Sequence, residues 1–407
     1  MNTNERGSIL MFVTWVLSLL GIIATFLIYR SEAEWAVVSS HERNRLVREM
    51  AEQILAEQLT LLLEDETEKD TPEEQWFGKT GRFVTERNGC QITVLVEDEG
   101  SKPNINLMNK SALCQFVPQD LSVAPVLDWC DPDQNELENG AETPYYKSLK
   151  PAYQPRDGFF SSLQEVLAVK GGRELYPYLA PELTVYGKIN INVLTPDQFG
   201  FILKAAGFDK FSADIVVAEF RKKMIDLKGT KDFAPVTSME VLGKWHSLNA
   251  IQCEKLKPVL KFSGSSNVNF MSLKGLAALL LVASHGRIPA EKSETLAQKI
   301  VKFCHQSNPI DSLEELKNLL GEECTSHFKV EDYFTLASSI LRYRIWVSKG
   351  NHKYFLNTVQ ERVAGDLFTK WRVRTLSWQG LLNSNTPEIP AMTSFEAARL
   401  LETKATN

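Results

Sequence analysis

The sequence predicts an α+β protein: a long N-terminal helix, an antiparallel sheet and a large all-helical insertion. Residues 8–29 are an apolar run without a charged side chain, and no Gly or Pro interrupts residues 22–71. Two β-hairpin signals lie far apart in the rest of the chain, with a repetitive helical region between them. This order indicates one sheet whose two halves are separated by the insertion.

The helix is predicted from residue 8 to about residue 64. A bilayer core of about 30 Å needs roughly 20 apolar residues, so residues 8–29 can span it. Beyond them, apolar residues recur mostly at steps of three or four and form an amphipathic stripe: Trp35, Val38, Leu46, Met50, Ile54, Leu55, Leu59 and Leu62. The run meets Arg30 rather than a small-residue cleavage site, so cleavage behind it is not expected. An ordinary signal anchor is the alternative explanation of the hydropathy.

The predicted hairpins lie on either side of the insertion. Residues 82–86 and 91–97 flank Arg87-Asn88-Gly89, and Asn-Gly is a strong turn signal. Residues 336–347 and 353–363 flank a second turn at residues 348–351. Their arms are rich in β-branched and aromatic residues, so we expect strands that pack across the long helix.

Two motifs repeat between the hairpins. Asn104-Ile-Asn-Leu returns as Asn190-Ile-Asn-Val and as Asn267-Val-Asn-Phe. A Ser or Thr followed three residues later by Glu recurs at positions 162, 237 and 312, and this pattern is a capping box at a helix start. The regular spacing predicts a duplicated unit of a few short helices.

Charge and motifs argue against nucleic-acid binding and catalysis. The net charge of −6 disfavours a phosphate-binding surface. The six histidines form no zinc-binding pair, and the sequence has no nucleophile elbow, Walker loop or dinucleotide fingerprint. Residues 203–213 are similar to a helix-hairpin-helix, but the second glycine that would bring backbone amides to a phosphate is replaced.

The six cysteines all follow the apolar run, and none belongs to a CxxC pair. Outside the cytoplasm this favours disulfides over zinc. Proximity in sequence favours Cys114 with Cys130 and Cys304 with Cys324.

The most chemically suggestive segment is the acidic run at residues 128–142. Calcium prefers six to eight oxygen ligands on a flexible loop, and this segment supplies carboxylates densely, although without EF-hand spacing. A solvated acidic loop is the alternative.

The seven-residue leader MNTNERG joins the apolar run directly. It resembles the class III signal of type IV pilins and type II secretion pseudopilins, which implies cleavage between Gly7 and Ser8 and methylation of the new N-terminus. Most members carry Glu at the fifth mature position, where this chain has Phe12. In other members this Glu can neutralise the N-terminal ammonium of the subunit inserted just before it. A buried carboxylate without a partner is costly in lipid, so a subunit that no other subunit precedes is more stable without this Glu. This pattern resembles the minor pseudopilin K family.

The resemblance covers most of the chain, through motifs that occur in order: Val96-Glu-Asp-Glu99, Asn104-Ile-Asn-Leu, Asp128-Trp-Cys-Asp131, Gly140-Ala-Glu142, residues 183–192 and Val330-Glu-Asp-Tyr-Phe334. It implies a pilin-like sheet and an inserted helical domain of the sterile-alpha-motif-like kind, longer than usual by a unit around residues 267–321. It also implies bound calcium, for which the candidate ligands are Asp128, Asp131, Asp133 and Glu142.

These observations divide the chain into a leader (1–7), a pilin helix (8–65, with 8–29 transmembrane), the first part of the sheet (66–103), the helical insertion (104–328), the second part of the sheet (329–370) and a C-terminal tail (371–407) for which the family offers no counterpart.

The predicted function is that of a non-enzymatic minor pseudopilin of type II secretion, which caps the pseudopilus tip and helps initiate its assembly for protein export across the outer membrane. A filament packs thin helices side by side. A head of this size would crowd its lateral neighbours, so it fits only at an end of the filament. The resemblance implies minor pseudopilins of the I, J and H types and the inner-membrane secretion platform as partners, with Phe12, Trp35, Val38 and Leu46 as interface residues. The protein would cross the inner membrane once, with its head in the periplasm and no nucleic acid bound.

The main rival function is a signal-anchored periplasmic DNA-uptake protein whose helix-hairpin-helix-like repeats bind DNA. The acidic composition and the lost glycine count against it. A metallo-hydrolase is a more distant third.

Overall fold

A computed structural model describes residues 3–390 except 79, 229, 232, 265, 307–308 and 366–369, without the side chains of residues 3–9, 305, 306 and 384. Helix α1 (Thr3–Leu63) is continuous. Its N-terminal part is long and apolar enough to cross a membrane, and the rest of the protein buries none of that apolar window. Farther along, one face of α1 packs on the sheet through Val47, Met50, Ala51, Ile54, Leu55 and Leu62. One helix therefore forms both the candidate anchor and part of the core of the head.

The first hairpin follows α1. Strand β1 (Arg82–Arg87) pairs antiparallel with β2 (Cys90–Asp98). Asn88 and Gly89 connect them at φ 52° and 69°, the left-handed conformations that a type I′ turn requires. The predicted Asn-Gly turn is confirmed.

The described residues between 104 and 335 form three consecutive helical units. Unit 1 (residues 104–184) contains α2 (Lys110–Leu113), α3 (Ala124–Asp128), α4 (Thr143–Ser148) and α5 (Gly172–Leu179). Unit 2 (residues 190–261) contains α6 (Pro196–Ala205), α7 (Lys210–Phe220), α8 (Met239–Leu242) and α9 (Ala250–Leu256), and it is bounded by the short strands β3 (Ile189–Asn190) and β4 (Leu260–Lys261). Unit 3 (residues 267–335) contains α10 (Leu273–Ala283), α11 (Ala290–Gln306), α12 (Leu313–Leu320), α13 (Glu322–Thr325) and α14 (Val330–Tyr333), between β5 (Ser266–Asn267) and β6 (Phe334–Thr335).

Each unit begins and ends at the same place. Asn104 forms a parallel bridge with Thr184, β3 pairs in parallel with β4, and β5 pairs in parallel with β6. The chain therefore returns close to its starting point once per unit.

The repeated asparagines form what we call the asparagine latches. The first Asn of each motif accepts a hydrogen bond from the backbone N–H of the second Asn, and this caps a 3-10 turn at Ile105–Leu107, Ile191–Val193 or Val268–Phe270. The second Asn then bonds to both the N–H and the C=O of one distant residue, at 2.7–3.1 Å. The pairs are Asn106 with Phe160, Asn192 with Val236, and Asn269 with Ile310.

Each latched residue stands two positions before a helix cap. The capping side chains are Ser162, Ser238 and Ser312, so the prediction of position 237 was wrong by one residue. Glu165 and Glu315 accept hydrogen bonds from the backbone N–H groups of Ser161 and Asp311. A capping box would use the N–H of the cap residue itself, which is one position later in each case. The two repeated motifs are thus two ends of one contact, and the predicted duplication is a real structural repeat.

After unit 3 the chain completes the sheet with β7 (Ile340–Lys349), β8 (His352–Ala364) and β9 (Trp371–Leu382). All neighbours in the order β1-β2-β7-β8-β9 are antiparallel. The prediction that a tail begins at residue 371 was wrong, because residues 371–382 alternate in the strand manner and pair with β8. Pro387 and Pro390 accept hydrogen bonds from Trp346 and Arg82 on the outer face; the rest of the predicted tail, 391–407, lies outside the described residues.

A buried charged network joins the loop after α1, the sheet and the segment before β7. We call it the junction cluster: Asp65, Asp70, Asp98, Ser338 and Arg362. The Arg362 guanidinium lies 3.2 Å from Asp65 Oδ2 and also pairs with Asp70. The Ser338 hydroxyl donates to Asp98 Oδ2 at 2.6 Å. The α+β class, with a helical insertion in an antiparallel sheet, is confirmed; likeness to a sterile-alpha-motif domain stays a prediction.

Candidate metal centre

Unit 1 brings together three of the four predicted ligands. Asp128 ends α3, Asp131 follows in the loop, and Glu142 immediately precedes α4. One carboxylate oxygen from each lies within 4.8 Å of the others. Asp128 and Glu142 are buried and Asp131 is half-buried, so the group, called here the loop cluster, is not a solvated acidic surface.

Asp128 is held in place by the loop that folds over it. Its Oδ2 accepts a hydrogen bond from the Ala141 N–H at 2.7 Å, and its carboxylate also accepts from the Leu137 N–H. A Cβ on Gly140 would lie 1.8 Å from Asp128 Oδ2, so only glycine permits this close approach. The Gly-Ala-Glu motif therefore fixes the distance between the two ends of the loop.

Glu142 and Asp131 carry oxygens that the protein leaves without partners. Both carboxylate oxygens of Glu142 and Oδ1 of Asp131 are buried and have no hydrogen bond among the described residues. Glu142 stands at the N-terminal cap of α4, yet its side chain does not cap the helix. Buried, unsatisfied carboxylate oxygens are costly unless a cation or a proton compensates them.

Asp157 is a further carboxylate that the sequence analysis missed. Its Oδ1 is also buried without a partner, and its charge raises the pKa of both Glu142 and Asp131. Asp157 has φ 48°, the left-handed conformation, in the turn before Gly158. An Asp-Gly pair in a turn was the available signal, but nothing in the sequence linked it to a loop ending at residue 142.

The electrostatics of the loop cluster are those of carboxylates without a counter-ion. Burial, together with the charges of Asp131 and Asp128, raises the pKa of Glu142 to about 7. Burial and the charge of Asp133 raise the pKa of Asp131 to about 6. Among the described residues, no Lys or Arg forms an ion pair with Asp128, Asp131, Glu142 or Asp157; the nearby Lys170 ammonium donates to the Gly140 carbonyl at 2.7 Å.

The donor set fits a hard divalent cation. Carboxylate oxygens on one flexible loop are what Ca²⁺ prefers, and the absence of His and Cys donors disfavours zinc. Asp133 does not join the cluster: it is exposed, and its Oδ1 accepts a hydrogen bond from the Asn135 N–H at 2.7 Å. Its predicted place among the ligands finds no support in this geometry.

The predicted disulfides are not formed. All six cysteines, which lie within the described residues, are free. Cys114 is exposed at the end of α2, whereas Cys130 packs against the core of unit 1. Cys304 and Cys324 both contribute to the core of unit 3, and burial raises the pKa of each thiol to about 11. Proximity in sequence placed these residues in one unit but did not make them partners.

The other predicted site residues lie along α1. Phe12, Trp35 and Val38 are 65%, 71% and 53% exposed. Leu46 instead packs partly against the sheet, so it is less available as an interface residue than predicted. Gly7 and Ser8 belong to α1, where the structure describes only the backbone.

The helix-hairpin-helix-like segment of unit 2 is not built for a phosphate. Asp209 occupies the position before α7, and its carboxylate accepts a hydrogen bond from the Ser212 N–H at 3.0 Å. A carboxylate at the helix start repels the anion that a DNA-binding hairpin receives there. This geometry removes the main structural reason for the DNA-uptake alternative.

Comparison with known proteins gives concordant matches. The family model described as Type II secretion system (T2SS), protein K matches residues 105–188, which correspond closely to unit 1. Type II secretion system protein K of Klebsiella pneumoniae is 23% identical over 252 residues, covering 54% of this chain and 75% of that protein. These two matches confirm the resemblance to the K family.

One solved structure is also similar. It is the GspK-GspI-GspJ complex from the type 2 secretion system of enterotoxigenic Escherichia coli, of which one chain matches with a TM-score of 0.43 and 12% identity, over 86% of this chain and 98% of that one.

Proposed function

We infer that this chain is a minor pseudopilin of the type II secretion system, of the K type. The observation that carries the inference is the combination of a continuous α1 with an exposed apolar N-terminal part and a unit 1 that matches the protein K family. The same helix that can enter a membrane passes into the core of a large head, as a filament subunit requires.

We propose further that the protein caps the tip of the pseudopilus and helps initiate its assembly. Three helical units and a five-stranded sheet stand on one thin helix. In the interior of a filament such a head would collide with its lateral neighbours, whereas the end leaves it room. Minor pseudopilins of the I, J and H types are the proposed partners, and the inner-membrane platform is the proposed site of assembly.

The exposed stripe of α1 is the proposed contact with these partners. Trp35 and Val38 lie beyond the apolar run and are exposed in the isolated chain, so they need apolar cover outside lipid. Val38→Glu should reduce co-purification with the I- and J-type proteins. Ala36→Glu introduces the same side chain on the opposite, exposed face of the helix and is the matched control. Equal co-purification of both variants with wild type would place the interface elsewhere.

Processing between Gly7 and Ser8 is proposed from the leader. Gly fits a narrow peptidase cleft because it has no side chain, so Gly7→Val should block cleavage. Mass spectrometry of the membrane-extracted protein should find a methylated N-terminal Ser8. An intact Met1 in a strain with active peptidase would contradict the proposal.

Calcium is the proposed ligand of the loop cluster, with Asp128, Asp131, Glu142 and Asp157 as its carboxylates. When bound, the ion supplies the positive charge that the orphaned oxygens of Glu142 and Asp131 lack. Metal analysis of the purified full chain should give one calcium per chain in wild type and in Asp133→Asn, and a loss in Asp131→Asn. Calcium retained in Asp131→Asn would refute this site.

A further inference from the structure

A cavity of about 290 Å³ lies where the closures of the three units meet the sheet. Residues of each unit boundary line it, together with the start of β7 and the end of β8. Exposed Gly187 is among the lining residues, so the cavity reaches the surface. Its size is near the lower end of the range typical of small-molecule sites.

The cavity holds two cations without carboxylate partners. The Lys261 ammonium donates to the Gly264 carbonyl at 2.9 Å, and no ion pair of Lys261 or Lys188 occurs among the described residues. By contrast, Lys102 lies 3.2 Å from Glu99, and Arg362 belongs to the junction cluster. Asp332 also lines the cavity but forms no ion pair with either lysine within the described chain.

The position of Lys261 is built rather than incidental. Gly264, whose carbonyl holds the ammonium, is pinned against unit 3: its N–H donates to the Glu331 carbonyl at 2.6 Å, and a Cβ would lie 2.3 Å from the Phe334 backbone. Burial, with the charge of Lys188, lowers the pKa of Lys261 to about 7. The folded protein therefore holds an ammonium in a place that disfavours its charge.

The remaining walls are mixed, with an apolar part formed by Leu107, Met108, Val193, Leu279 and Ile340. A ligand that fits both features has an anionic head for the lysines and an apolar body for the walls. We propose that this cavity binds a small organic oxyanion, a carboxylate or phosphate on an apolar body, with Lys261 and Lys188 as the anion-binding residues.

Titration calorimetry on the detergent-solubilised full chain tests the proposal. Phenyl phosphate and benzoate represent the whole ligand, inorganic phosphate the head alone, and benzyl alcohol the body alone. The two whole-ligand probes should bind at one site, and the two partial probes more weakly. Lys261→Met keeps the apolar stem and removes the ammonium, so it should weaken binding by about tenfold or more, the contribution of one charge-assisted hydrogen bond.

The control is Lys257→Met, at an exposed lysine of the same unit that pairs with Glu254 outside the cavity. It should bind the probes as wild type does. Lys261→Met should also raise the melting temperature of the ligand-free protein, because an uncompensated ammonium no longer has to be buried. Lys188→Met gives a second, independent variant. The absence of binding by every probe, or equal affinity in Lys261→Met and wild type, would overturn the proposal.

Discussion

Two of the buried carboxylate groups in the described chain, the junction cluster and the loop cluster, differ in what compensates their charge. In the junction cluster, Arg362 pairs with Asp65 and Asp70, and Ser338 donates to Asp98. In the loop cluster, buried oxygens of Asp131 and Glu142 have no partner in the described chain. A carboxylate cluster that is paired with a side-chain cation stabilises the fold, whereas a cluster without such a cation can bind a metal ion.

The largest effect should come from removing the internal cation. Arg362→Met leaves Asp65 and Asp70 buried without compensation, which costs about 3–5 kcal/mol for a buried pair. Denaturant unfolding of the solubilised chain, followed by tryptophan fluorescence, measures the change. Arg87→Met breaks the partly exposed pair with Glu57 and is the control, with an expected cost much smaller than that of Arg362→Met. Similar losses in the two variants would mean that the junction cluster does not stabilise the fold.

The sequence could not have revealed the junction cluster. Its members come from the loop after α1, the end of β2, the segment before β7 and the end of β8, and only the sheet pairing brings them together. The loop cluster was largely predictable because three of its carboxylates lie within fifteen residues of sequence, from 128 to 142. Asp157 was missed because a separate turn carries it into the site.

The repeats show the same limit. The asparagine motifs and the helix caps were both visible in the sequence, but the latch that joins them was not. The intervening segments differ in length between the units, so no fixed spacing connects the two motifs. Strand β9 was missed for another reason: the family resemblance ended before it, although its own residues alternate as a strand requires.

The second prediction concerns the external cation. At free calcium of about a hundred times the dissociation constant, binding to the folded state alone should stabilise the protein by about 2.7 kcal/mol. Asp131→Asn should remove this response and, in chelator, should make the protein more stable than wild type because like charges no longer meet. Thermal unfolding with calcium and with chelator measures both effects.

Asp98→Asn distinguishes the two clusters in the same experiment. It lies in the junction cluster, so its calcium response should equal that of wild type. If wild-type melting curves coincide in calcium and in chelator, the loop cluster does not bind the ion.

The third prediction is a pH dependence that the two clusters share without metal. Burial raises the pKa of Asp70 to about 6 and of Asp98 to about 7, as it does for Asp131 and Glu142. A raised carboxyl pKa favours folding at low pH, and this contribution is lost as pH rises through 6–7. In chelator, the free energy of unfolding should therefore fall between pH 5 and pH 8.

Calcium should separate the two contributions. It should reduce the fall that comes from the loop cluster, because the ion compensates the ionised carboxylates. It should leave the fall that comes from Asp70 and Asp98 in the junction cluster. Asp98→Asn in calcium should then show the flattest profile. A profile in chelator that rises from pH 5 to pH 8 would contradict the raised pKa values in both clusters.

The smallest effect is expected at Asp133, the calcium ligand predicted from the sequence, in comparison with Asp157, the carboxylate that the structure adds to the site. Asp133 is exposed and caps its own turn, so Asp133→Asn should change the calcium dissociation constant by about twofold or less, as an exposed substitution does. Asp157→Asn removes a carboxylate whose Oδ1 is buried without a partner beside Glu142, so its effect should be clearly larger. Calorimetric calcium titration of the two variants decides between them. The reverse order would mean that the loop closes around the ion through Asp133. Calcium would then rearrange the loop cluster when it binds, whereas Arg362 holds the junction cluster in one arrangement.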